Sequence, residues 1–150
     1  MLATDSANRY LTCMVQGSGY TAKRKSLKQR IQGFIRRSYW QMDIADSAWI
    51  ADTALIDRTW PKGIHIGANA IIHHHAVVLT HDMTRGLYLD THVGSGSIVG
   101  ARAIILPGIR VGSGCVIEAG SLVSRDVPDG ARVMGNPAKP VGTQQVEAIA

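Results

Sequence analysis

From Val93 to Pro128 the chain counts in sixes: VGSGSI, VGARAI, ILPGIR, VGSGCV, IEAGSL, VSRDVP. Each block opens on a branched aliphatic residue. A small or modest residue sits five places in, at Ser97, Ala103, Ile109, Cys115, Ser121 and Val127. Six is neither a helical period nor a two-residue alternation, so the repeat outranks local propensity as a guide to the fold. Short extended segments joined by tight corners satisfy it, with the aliphatic side chain pointing inward and the small one packed beside it. Three sixes close one triangular turn of 18 residues. Successive turns then stack as parallel strands about 4.8 Å apart.

The same count extends upstream. Ile44, Ile50 and Ile56 open a first turn, and Ile66, Ile72 and Val78 a second, after four extra residues around Trp60–Gly63. Val93, Val99 and Ile105 form the third turn and Val111, Ile117 and Val123 the fourth. Between the second and third, the register slips by nine residues near 84–92. An excursion from one corner of so regular a stack is a place for function. The reading is a mainly β chain: an N-terminal segment over 1–43, a repeat of about four turns over 44–128, and a C-terminal cap and tail over 129–150. With insertions removed, His81 falls above Thr59 and beneath Gly108, with Asp57 and Arg58 on the same corner.

The N-terminal segment contains one periodic stretch. Over 21–41, Leu27, Ile31, Phe34, Ile35 and Tyr39 recur at helical spacing, among seven Lys and Arg residues and no acid. Such a helix is expected to lay its apolar stripe on the prism or a neighbouring subunit, and is also suited to an anionic membrane surface. The net charge of +5 suits an anionic ligand without choosing one. The basic stretch lacks the interleaved aromatics of a nucleic-acid site, and no nucleic-acid role is expected. Cys13 and Cys115 show no metal or redox spacing, and Cys115 occupies an inward small position. With no apolar leader in the first residues, the expectation is a cytoplasmic location.

The sixes, together with Leu79-Thr80-His81-Asp82 before the excursion, Ile105-Leu106-Pro107-Gly108, and the closing Gly135-Asn136-Pro137-Ala138-Lys139, resemble the hexapeptide-repeat acyltransferases, in the branch of the maltose, galactoside and polysaccharide O-acetyltransferases. The likeness covers roughly 44–141. It implies a left-handed parallel β-helix, a homotrimer, and acetyl-CoA as acyl donor in a cleft between adjacent prisms, with no metal. The matching position makes His81 the general base, and the backbone N–H of Ala101 the oxyanion donor one turn above it. Asp57, Asp82 and Arg85 are candidates for the acceptor side. The pantetheine arm is expected to pass Ala101 and Ala119, and the phosphates and adenine to meet Ser124, Arg125, Asn136, Pro137 and Lys139. Glu118 departs from the family pattern, standing where glycine usually precedes Ala-Gly-Ser.

The resemblance makes the chain an O-acetyltransferase acting on a sugar or saccharide hydroxyl by direct transfer. Transfer to an amino sugar, and a non-catalytic β-helical scaffold, are the alternatives. A zinc enzyme on the same prism would need a further pair of histidines after the excursion, and none follows His92. His73-His74-His75 occupy successive corner positions, so their side chains should diverge; a surface or intersubunit role is expected. His92, across the excursion, is the reserve candidate for the base.

Overall fold

The computed structural model describes residues 24–141. Cys13, the start of the helical stretch at 21–23, and the tail at 143–150 lie outside the described residues.

Among the described residues one helix precedes the stack, α1 (Leu27–Ser38). Ser26 starts it through a capping box: its side chain accepts from the Gln29 N–H, and the Gln29 side chain accepts from the Ser26 N–H. The first turn of the prism then holds β1 (Asp43–Ile44), β2 (Trp49–Ile50) and β3 (Leu55–Ile56). The second holds β4 (Ile64–Ile66), β5 (Ile71–Ile72) and β6 (Val77–Val78), after a 3-10 turn at Pro61–Gly63 that absorbs the extra residues. The excursion is a small antiparallel hairpin, β7 (His81–Asp82) and β8 (Leu87–Tyr88). The third turn is β9 (Thr91–Val93), β10 (Ile98–Val99) and β11 (Ile104–Ile105). The fourth is β12 (Arg110–Val111), β13 (Val116–Ile117) and β14 (Leu122–Val123).

Three parallel sheets form the walls, and their registers are those of the count by sixes. Ile44, Ile66, Val93 and Val111 stack on the first wall. Ile50, Ile72, Val99 and Ile117 stack on the second, and Ile56, Val78, Ile105 and Val123 on the third. All twelve side chains are buried, with Ala48, Ala54, Ala70, Ala76, Ala103 and Cys115 filling the gaps beside them. Each fully buried aliphatic contributes roughly 1.5–3 kcal/mol, so these three columns dominate stability. Polar groups that enter this core are satisfied: Ser97 donates to the Gly112 carbonyl at 2.6 Å and accepts from the Cys115 N–H at 3.0 Å. Burial pushes the Cys115 thiol up, as suits a packing residue.

Two expectations need correction. The stack does not stop at Pro128. Val127 bridges Val111, and β15 (Arg132–Gly135) pairs with β13, setting Val133 on Ile117. The chain then turns back as β16 (Ala138–Pro140), antiparallel to β15. This partial fifth turn is masked in the sequence because the first-wall partners Val111 and Val127 are 16 residues apart instead of 18. The Asp126 carboxylate takes up the slack by accepting from the Arg110 N–H at 2.8 Å.

Helix α1, expected to lay its apolar stripe on the prism or a neighbouring subunit, does not do the first of these. Its polar side makes the contacts. Lys25 donates to the Asp46 carbonyl, Gln29 to the Ile50 carbonyl at 3.1 Å, and Lys28 and Arg37 pair with Asp52 and Asp46 at 3.1 and 2.7 Å. Three cations and an amide tether the helix, and Leu27, Ile31, Phe34 and Ile35 remain exposed.

Candidate active site

At the corner that follows the third wall, the turns superpose Asp57–Thr59, Leu79–His81 and Leu106–Gly108. The ladder hydrogen bonds Asp57 N–H to Val78 carbonyl and Leu79 N–H to Ile105 carbonyl hold this column. Asp57 is buried at its base, 3% exposed. Its Oδ1 accepts from the Thr59 N–H at 2.8 Å. Its Oδ2 accepts from the N–H groups of Thr80 and His81 at 2.9 and 3.1 Å, and from His81 Nδ1 in a short contact. Burial alone would raise this carboxyl. The Thr80 amide, the His81 ring and the Thr59 amide outweigh that and hold it at about 2, so Asp57 is ionised at neutral pH.

An ionised Asp57 fixes the tautomer of His81. Nδ1 carries the proton and donates, which leaves the lone pair on Nε2. Among the described residues Nε2 has no hydrogen-bond partner, and the ring is partly open to solvent, with 20% of the side chain exposed. Around it the corner is locked: Thr80 Oγ1 donates to the Trp60 carbonyl at 2.8 Å, and Thr91 Oγ1 donates to the Leu79 carbonyl at 2.6 Å while accepting from the Gly108 N–H at 3.1 Å. A base held from behind by a carboxylate, with its free nitrogen at a rim, can accept a proton from a hydroxyl or amine.

Asp82 and Arg85, expected to line the mouth with Asp57, are committed to each other. Asp82 accepts from the Arg85 N–H and Nε at 3.2 and 2.7 Å and from the Thr84 N–H and hydroxyl. These contacts hold the Asp82 carboxyl well below its usual range, the Thr84 hydroxyl first and the Arg85 guanidinium next. The pair shapes the β7–β8 turn, and only Arg85 projects, 65% of its side chain exposed. His92 is not at this corner. It lies on the outer face of the first wall, stacked on His65 with ring centroids 4.3 Å apart, and burial followed by His65 and Arg110 pushes its pKa down.

Two aromatic residues at the corner, Trp60 and Tyr88, carry no motif and are not among the candidates the sequence offers. Tyr88 is paired directly opposite His81, so their side chains share a face of the hairpin. The Tyr88 ring meets Trp60 edge-on at 5.8 Å, and both are exposed. The one available signal was that both belong to the two departures from the six-residue count.

The expected oxyanion donor is on another corner. Ile72 pairs with Val99 through β10, and the Arg102 N–H donates to the His74 carbonyl, so Ala101 lies above His74 and not above His81. Ala119 follows in the same column, with the Gly120 N–H on the Ala101 carbonyl at 2.9 Å. The β15–β16 turn with Asn136 and Pro137 continues it, since Val133 stands on Ile117. Ser124 and Arg125, by contrast, stand exposed above His81 on the first column, following the Leu106 N–H to Val123 carbonyl bond. Lys139 is exposed on β16, opposite Met134. Glu118 is neutralised by Arg132, at 2.5 Å from both Nε and a terminal nitrogen. Within one chain the candidates therefore divide between two corners: Asp57, His81, Ser124 and Arg125 on one, and Ala101, Ala119, Asn136 and Pro137 on the other.

Of the three histidines, His74 Nδ1 meets Thr53 Oγ1 at 2.9 Å, His75 sits at a left-handed corner position, and the His73 and His74 rings both lie against Trp49, at 6.0 and 6.1 Å. Among the described residues no trio of His, Cys, Asp or Glu is arranged to hold a metal ion.

The bacterial transferase hexapeptide model (six repeats) matches residues 90–125. YvoF of Bacillus subtilis (strain 168), provisionally named an acetyltransferase, is 32% identical over 117 residues, covering 77% of this chain and 68% of that protein. The 2,3,4,5-tetrahydropyridine-2,6-dicarboxylate N-acetyltransferase of Staphylococcus aureus (strain MRSA252) is 40% identical over 81 residues, 54% of this chain; the chain spans only 31% of that enzyme's length. Among solved structures, a maltose O-acetyltransferase from Clostridium difficile 630 superposes with a TM-score of 0.59 at 18% identity, covering 91% of this chain and 83% of that one. A galactoside acetyltransferase solved in complex with coenzyme A gives 0.54 at 16% identity, covering 92% and 80%. These two likenesses establish the fold. Repeat, wall registers and relatives agree: the chain belongs to the hexapeptide-repeat acetyltransferase family and is folded as its left-handed parallel β-helix.

Proposed function

We propose that the chain transfers an acetyl group from acetyl-CoA to a hydroxyl of a sugar or saccharide, with His81 as general base. The observation that carries this is the Asp57–His81 pair, which leaves the Nε2 lone pair at an open rim, without a hydrogen-bond partner among the described residues. His81 Nε2 takes the acceptor's proton as its oxygen attacks the thioester carbonyl. The tetrahedral intermediate's oxyanion is held by a backbone N–H. As the C–S bond breaks, the same proton passes from Nε2 to the departing CoA thiolate, so no covalent enzyme intermediate is needed.

The separation of the two columns supports a site shared between copies. In a homotrimer, the His81 corner of one prism would meet the Ala101–Ala119 corner of the next. Ala101 would then supply the oxyanion N–H across the boundary, and the pantetheine arm would run between the prisms. Arg125 and Lys139, exposed near the top of the stack, would face the phosphates. The coenzyme A bound in a galactoside acetyltransferase of the same fold supports acetyl-CoA as the donor. Trp60 and Tyr88 favour a saccharide acceptor, because exposed rings beside the base offer a wall for the C–H face of a pyranose. Transfer to an amine is the second reading, favoured by the 40% identity to an N-acetyltransferase over 81 residues.

The test is thiol release from acetyl-CoA against a panel of sugars, nucleotide sugars and amino sugars. The reading expects release with at least one hydroxyl acceptor and its loss in His81→Ala; full activity in that variant would refute it. Mixing His81→Ala chains with Ala119→Trp chains should restore part of the activity if each site takes one corner from each of two copies.

A further inference from the structure

Helix α1 holds its apolar side away from the prism, and this inversion has a consequence beyond acetyl transfer. Leu27, Ile31, Phe34, Ile35 and Tyr39 are 73%, 53%, 65%, 42% and 76% exposed. They form one stripe at i, i+4, i+7 and i+8, ending on Tyr39, whose ring meets Trp40 edge-on at 5.2 Å. The opposite side is tied down through Lys25, Lys28, Gln29 and Arg37, with Gln32 Oε1 buried beneath it. A helix anchored to its own protein by cations, and presenting leucine, isoleucine and phenylalanine outward, is oriented to receive an apolar surface.

Charge selects which surface. Residues 24–39 hold six Lys and Arg and no Asp or Glu. Lys28 and Arg37 pair with prism carboxylates, whereas Arg24 and Arg30 have no carboxylate partner among the described residues. Exposed Arg24 and Arg30, which hold no such pair, lie just before the helix and beside the stripe. A second copy presenting the same face would bring cations against cations. The stripe is also small for that purpose: a 12-residue helix is about 18 Å long and about 10 Å wide. That footprint is far below the roughly 800 Å² per partner of a stable protein interface. A bilayer has no such area requirement, and an anionic one meets the flanking cations. The helix is too short to cross a membrane, and no helix among the described residues is long and apolar enough to do so.

We infer that α1 is an interfacial anchor that lays Leu27, Ile31, Phe34 and Ile35 into an anionic lipid surface while the prism stays in water above it. Co-sedimentation of the full chain tests this, with vesicles of phosphatidylcholine alone and with about 30% phosphatidylglycerol. At low salt the bound fraction should be at least about tenfold greater on the anionic vesicles, and should fall as salt rises. The double variant Ile31→Asp/Phe34→Asp should lose that binding, with its β-rich circular dichroism intact because both residues are exposed. Met83→Asp, which removes an exposed apolar residue on the hairpin, should leave it unchanged. Equal partition onto both vesicle types, no binding to either, or undiminished binding by the double variant would overturn the inference. So would a loss of oligomeric mass in Phe34→Asp by light scattering with no vesicle binding by the unmodified chain, which would mark the stripe as a contact between copies.

Discussion

One oxygen of Asp57 accepts from both the main-chain N–H and the ring Nδ1 of His81. The carboxylate thus sets where the histidine's backbone lies and which ring nitrogen is left free. Asp57 comes from the first turn and His81 from the second, so the pairing exists only because the two turns stack in register. Under the proposed reading, His81→Ala should lower kcat by about a hundred- to ten-thousandfold. Asp57→Asn should lower kcat by about tenfold or more, because an amide can present N–H where the ring needs an acceptor. In both, the KM for acetyl-CoA should change little, since neither residue is on the expected donor track. Initial rates of thiol release, with both substrates varied, separate the two parameters.

The same carboxylate ties stability to acid. Its folded pKa of about 2 lies below the ordinary carboxylate value of 3.8. A depressed pKa gives stability that is fully present above the unfolded value and is lost as pH falls through the folded one. The window is therefore roughly pH 4 down to pH 2, and the loss amounts to about 2 kcal/mol. Urea midpoints measured across that range should fall for the native chain. Asp57→Asn should be less stable at neutral pH and should show a flatter acid limb over the same interval.

Most of the fold was legible because a six-residue count is a statement about long-range order. Once Ile44, Ile66, Val93 and Val111 share a phase, their stacking follows without any knowledge of corners. The count also placed Asp57 beside His81, across 24 positions of sequence. It failed where a local corner changed length, as between Val111 and Val127, because a two-residue deletion looks like the end of a repeat. It failed for α1 because helical periodicity reveals that an apolar stripe exists but not which side the rest of the protein touches; Asp46 and Asp52 decide that. Ala101 was misplaced for a different reason. The resemblance makes it the N–H one turn above His81, whereas the register assigns it to the His74 corner. Asp82 looked available because sequence cannot show that a carboxylate is already spent on its own turn.

The glycines that open corners should divide sharply by what stands above them. A Cβ on Gly100 would lie 2.5 Å from the Ala119 nitrogen, in the backbone of the next turn. Neither strand can move without breaking the ladder bond from the Gly100 N–H to the Ile117 carbonyl. Gly100→Ala should therefore cost at least about 3 kcal/mol, in the range of severe overpacking. Gly86, on the hairpin turn, has a φ of +63° and nothing within 4 Å of its would-be Cβ. There the penalty is conformational alone, and Gly86→Ala should cost about 1–2 kcal/mol. Denaturant midpoints at constant m-value compare the two, and equal losses would contradict the stacking account.

The corner between the second and third walls offers the opposite experiment. His75, Arg102 and Gly120 occupy equivalent places on successive turns, all left-handed, at φ of 59°, 59° and 71°. Only the last is a residue that adopts this conformation freely. Arg102 bears the cost of its Cβ in that region, about 1–2 kcal/mol, and its N–H is still required, donating to the His74 carbonyl at 3.1 Å. Glycine keeps the N–H and removes the Cβ, but its unfolded chain is freer, which takes back about 0.4–1 kcal/mol. Arg102→Gly should thus stabilise the prism by about 0.5–1 kcal/mol. Arg102→Asn, which tolerates the left-handed region with less added freedom, should do about as well. Arg102→Val should destabilise, because a β-branched residue is the least compatible with positive φ. Thermal midpoints of the three variants check the order Gly and Asn above Arg, and Arg above Val.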